Sequence, residues 1–94
     1  MSVGGNPSYV TIGATTTTAL KENPYRRRVT FCNTSTNIIY LSHAAQLVAG
    51  SGIPLMASGG NLVDELNLAD QLYRGTWYAI ASGAGSNLSI EEET

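Results

Sequence analysis

The sequence reads as an all-β chain: a small antiparallel β-sandwich or jelly-roll-like barrel of about 6–8 short strands. Two observations carry this. Runs rich in Val, Ile, Thr and aromatic residues recur along the chain. Clusters of Gly, Ser, Asn and Pro separate them at spacings of roughly 8–12 residues.

The elements follow in order. Residues 1–8 are small and polar and are expected to form a flexible arm, with Val3, Asn6 and Pro7 available to order on a neighbour. A single domain then spans 9–91, and 92–94 form an acidic tail. Residues 9–20 read as a strand with Val10, Ile12 and Ala14 on one face and Gly13 as its weak point. The β-branched run Thr15 to Thr18 suits a strand or its exit better than a helix.

Residues 23–42 read as one β-hairpin entered through a basic turn. Pro24 cannot donate to a ladder and biases Asn23 toward extended backbone, so a strand begins after it. Val29 and Phe31 share one face, with Thr30 and Cys32 on the other. A free thiol in that position is expected to be buried and apolar. Residues 33–37 are all turn formers, and residues 38–41 are strand-forming again.

Residues 53–56 are short and hold Pro54, which fits an edge strand or an extended connector. Residues 61–73 admit two readings. One is a helix with Leu62, Leu66, Ala69 and Tyr73 at helical spacing; the other is a strand over 62–66 followed by a turn. Residues 76–81 form a clear strand in which Trp77 and Tyr78 face opposite ways, one core and one surface. Residues 82–86 turn, and 87–91 return with Leu88 and Ile90 inward.

Composition narrows the function. Ninety-four residues fit one domain with a modest core. Only 13% are charged, about half the usual share, which suits a surface packed against neighbours or an extracellular or virion setting. A net charge of −2 argues against general nucleic-acid binding. One cysteine excludes an intrachain disulfide and a cysteine-based zinc site. No apolar run approaches a membrane span, and the N-terminus lacks the regions of a signal peptide, so synthesis in a cytoplasm is expected.

No motif supplies catalysis, a cofactor or a metal. His43 stands alone, no serine lies in a nucleophile-elbow context, and the glycine pairs lack the lysine or third glycine of a phosphate loop. The chain is read as a non-enzyme without a cofactor. The positive charge instead concentrates in Arg26, Arg27 and Arg28 beside Tyr25, which are candidates for contact with acidic partner surface. Alternation allows only Arg26 and Arg28 to act together. Trp77 and Tyr78 are candidate interface aromatics.

The order Asn-Pro-x-Arg-Arg-x-Val-Thr-Phe-x-Asn-x-Ser (23–35), Ile39-Tyr40-Leu41, Gly52-Ile53-Pro54-Leu55, Gly59-Gly60 and Tyr73-x-Gly-x-x-Tyr-Ala-Ile resembles small structural proteins of tailed bacteriophages and prophages. The resemblance covers most of the chain, from about residue 23 to 91. It implies a β-sandwich or barrel in the virion, as a capsid decoration or cement protein, with a tail- or fibre-associated receptor- or carbohydrate-binding module as the alternative. Its partners would be the major capsid protein or other virion proteins, together with further copies of itself as a dimer or trimer.

Overall fold

The computed structural model describes residues 5–46, 50–65 and 72–94. Among these residues eight strands are present: β1 (Gly5–Ile12), β2 (Thr17–Leu20), β3 (Arg28–Asn33), β4 (Ile39–Ser42), β5 (Ile53–Leu55), β6 (Asn61–Glu65), β7 (Trp77–Ala81) and β8 (Ser86–Glu93). They form two four-stranded antiparallel sheets, ordered β1-β8-β3-β6 and β2-β7-β4-β5.

This order has a simple origin. β1 pairs with β8, β2 with β7, β3 with β6 and β4 with β5, every pair antiparallel. The chain is one long hairpin turned at the β4–β5 connection and rolled on itself, and the roll is closed by β3 on β8 and β4 on β7. That is the strand order of an eight-stranded jelly roll.

Alternation supplies the core. Val29 and Phe31 of β3 and Leu88 and Ile90 of β8 face inward from one sheet. Ile39 and Leu41 of β4 and Trp77, Ala79 and Ala81 of β7 face them from the other. Ile12, Ala19 and Leu55 complete the cluster. Phe31 and Trp77 meet edge to face across it, ring centroids 5.1 Å apart.

Several sequence expectations are corrected here. Residues 5–8 are not an arm: they open β1 and pair with β8 from Gly5↔Glu93 onward. Glu92 and Glu93 are not a tail, because β8 continues through them. Residues 9–20 are two strands in different sheets, divided by residues 13–16. The segment 61–65 is a strand, and of the rest of that ambiguous stretch only 72 and 73 lie among the described residues.

The central correction concerns residues 23–42. β3 and β4 lie in different sheets, so their connection is an arch and not a hairpin turn. Asn33, fully buried on the inward stripe of β3, builds it. Its Nδ2 donates to the carbonyls of Asn37 (2.7 Å) and Leu55 (2.8 Å), while its Oδ1 accepts from the Ser35 N–H (2.9 Å) and hydroxyl (2.7 Å). One amide thereby ties the β3–β4 arch to β5. The next layer is also neutral, since Asn37 Nδ2 donates to the buried Ser86 hydroxyl, which donates to Gly83 O. The β5–β6 arch closes at the same end, where Gly60 lies so near the Met56 backbone that a Cβ would collide with it.

Candidate docking surface

The opposite end of the sandwich gathers the β2–β3 turn, the segment leading into β7 and the end of β8. Asn23 and Pro24 shape the turn. Pro24 presets the second position, the Arg26 N–H closes on Asn23 O at 3.2 Å, and the Tyr25 N–H reaches Asn23 Oδ1 at 3.0 Å. Tyr25 therefore stands at the tip, 77% exposed.

Arg26 turns the other way and is fully buried. Its Nε donates to Glu92 Oε2 at 2.7 Å. Nη1 donates to the carbonyls of Tyr73 (3.0 Å) and Gly75 (3.1 Å), and Nη2 to that of Lys21 (2.6 Å). The guanidinium is a plug that ties the β2–β3 turn, the β6–β7 connection and β8 together. Its planar fork of donors is what lets one side chain serve three segments. Asn23 Nδ2 supports the same carboxylate at 3.3 Å, and Arg74 Nε donates to Arg26 O at 3.0 Å.

The arginine run thus divides. Arg26 is not a docking residue, because burial and its four donor contacts consume it. Arg28 points to the outer face of its sheet between two acids in register, Glu93 and Glu65. Its Nη1 lies 3.4 Å from Glu93, and its Nε lies 3.6 Å from Glu65, too far for a hydrogen bond. Arg26 and Arg28 therefore meet acidic residues of their own chain, Glu92, Glu93 and Glu65. Arg27 alone of the three is exposed, with no ion pair among the described residues.

Beside this plug, His43 stacks on Tyr73 with centroids 3.5 Å apart and meets Trp77 edge to face at 4.3 Å. Partial desolvation lowers the pKa of this largely exposed imidazole from 6.5, while the Asp64 carboxylate pulls it upward. Asp64 also accepts the Tyr73 N–H at 3.2 Å. The alternation expected at 77 and 78 holds: Trp77 lies in the core, and Tyr78 is half-buried on the outer face. Trp77 is accordingly unavailable as a surface anchor, and its buried indole N–H has no partner among the described residues.

Tyr78 belongs to a distinctive surface. The positions of its sheet that alternate away from the core run Thr18–Tyr78–Ser42 in one row and Ile80–Tyr40–Pro54 in the next, without a charge, and of these Ile80 is itself buried. The outward positions of the other sheet hold Arg28, Glu65, Glu91 and Glu93. Cys32 lies on that charged face, half-buried and not deep in a core. Of the expected arm contacts, Asn6 and Pro7 are part of β1, and Val3 lies outside the described residues.

Sequence reasoning missed the Arg26–Glu92 pair, the Asn33 network and the His43–Tyr73 stack. A signal for the first two was present: Asn33 and Glu92 interrupt apolar stripes that otherwise read Val29-Phe31 and Leu88-Ile90. No enclosed cavity and no cluster of three metal-ligating side chains occurs among the described residues. No family model, curated protein or solved structure matches the chain.

Proposed function

We propose that the protein is a non-enzymatic structural component of a virion, a decoration or cement protein that adheres to the shell. The observation that carries the reading is how its surface is partitioned. Arg26 and Arg28 are answered by Glu92, Glu93 and Glu65 of the same chain. At the proline-set tip an aromatic and a cation, Tyr25 and Arg27, stay outward beside Lys21 and Glu22, and the outward positions of the β2-β7-β4-β5 sheet carry no charge. Such a surface suits adhesion, with Tyr25 giving area and Arg27 fixing register against acidic partner surface. The rolled eight-stranded sandwich supports the reading by analogy of fold alone, since viral shell domains share that architecture with lectins and cupins.

The test is mass spectrometry of particles assembled from the genome that encodes the chain, followed by re-addition of purified protein to particles lacking it. Retention on shells is expected, with attachment weakened by Tyr25→Ala and Arg27→Ala and by added salt. Particles that never contain the protein would sink the reading. Recovery with detached tails would move it to a receptor-binding role.

A further inference from the structure

Four strand edges bound the sandwich, and three carry a feature that discourages pairing with another chain. β2 is only four residues long, and its register shifts between Thr18 and Leu20. β5 is three residues long with Pro54 in its middle. β6 carries Asp64 and Glu65. β1 differs: it runs for eight residues without a charged side chain and ends its sheet. Tyr9 near its centre is 74% exposed, with Pro7, Ser8 and Thr11 exposed around it.

The backbone groups that face this edge follow from β8. Within a strand, a residue's N–H and C=O point to one side, and the side alternates along the chain. Asn87 O accepts from the Thr34 N–H at 3.3 Å, and Glu93 O from the Arg27 N–H at 2.8 Å, so both residues point away from β1. Their β1 partners, Thr11 and Gly5, are non-hydrogen-bonded positions, and by alternation so are Pro7 and Tyr9. These four residues turn their backbone groups to the open edge. Pro7 offers only a carbonyl there, and its missing N–H costs the β1–β8 ladder nothing.

The geometry points to a second copy of this chain as the occupant: two β1 strands pair antiparallel about a two-fold axis at Tyr9, merging two four-stranded sheets into one. Tyr9 exchanges both N–H···O bonds with its symmetry mate, and each Thr11 N–H reaches the Pro7 carbonyl of the other copy. A copy fits better than an unrelated strand for two reasons. An uncharged strand meets itself without opposing like charges, and the two outward Tyr9 rings form a cross-strand aromatic pair. The inference stands apart from the virion reading, because pairing is a property of the purified chain.

Light scattering of the full chain up to ~0.5 mM is expected to show a concentration-dependent dimer. Tyr9→Lys places like charges opposite each other, so dimerisation should weaken by about tenfold or more, with the thermal midpoint of dilute protein unchanged. In a Cys32→Ser background, Tyr9→Cys should cross-link under mild oxidation, since hydrogen-bonded antiparallel partners lie about 5.5 Å apart at Cα, within disulfide reach. Val63→Cys, exposed on the β6 edge, should not. A chain monomeric throughout that range overturns the proposal, as does a dimer that persists in Tyr9→Lys or is trapped through position 63.

Discussion

The two ends of the sandwich solve the same closure problem with different chemistry. At one end, neutral amides and hydroxyls of Asn33, Ser35, Asn37 and Ser86 hold the β3–β4 arch, β5 and the β7–β8 connection together at hydrogen-bond distances of 2.7–3.1 Å. At the other, a buried guanidinium meets a carboxylate and three carbonyls. Neutral groups lose less on leaving water, so the first solution tolerates complete burial cheaply. The second demands that every donor find a partner, because an unpaired buried charge is costly. The charged end is therefore the more brittle, and it is also the end that presents Tyr25 and Arg27.

The sharpest way to break the comparison is Arg26→Ala, which leaves Glu92 without its cation and should cost about 3–5 kcal/mol in denaturant unfolding. Arg26→Lys should rescue little, because one ammonium cannot reach three segments at once. Asn33→Ala comes next, at about 1–3 kcal/mol for each buried group left unpaired. Should it prove costlier than Arg26→Ala, the ranking of the two ends is reversed.

Acid should distinguish the ends more gently. The His43 pKa lies below 6.5 in the folded chain, so the unfolded chain binds more protons between that lowered value and 6.5. Stability should accordingly fall as pH drops below 6.5 and stay flat above it. His43→Gln should remove that slope, and hydrogen exchange should place the change near Tyr73 and not near Asn33. The smallest effect belongs to Arg28→Ala, whose exposed pairs should contribute no more than ~1 kcal/mol, less at high salt.

Strands were legible in the sequence because inward positions alternate plainly at Val29, Phe31, Leu88 and Ile90. The assignment of strands to sheets was not. Residues 33–37 have the composition of a hairpin turn, and turn-forming side chains serve an arch equally well. What separates the two is Asn33, a polar group on an apolar stripe that only a partner from another segment can satisfy. The arginine run misled for a related reason. Alternation places Arg26 and Arg28 on one face of a continuous strand, but β3 begins only at Arg28, and the turn before it sends Arg26 inside.

The position of β8 has a consequence for how the protein is made. β8 lies between β1 and β3, so its sheet has no middle until residues 86–93 have left the ribosome. Gly5 must then find Glu93, 88 residues further along the chain. Partners so distant in sequence make for folding on the millisecond-to-second scale, with β1 unpaired and one edge of β3 open in the meantime. A chain that stops a few residues early loses Glu92 as well, and with it the counter-charge that Arg26 needs before it can be buried.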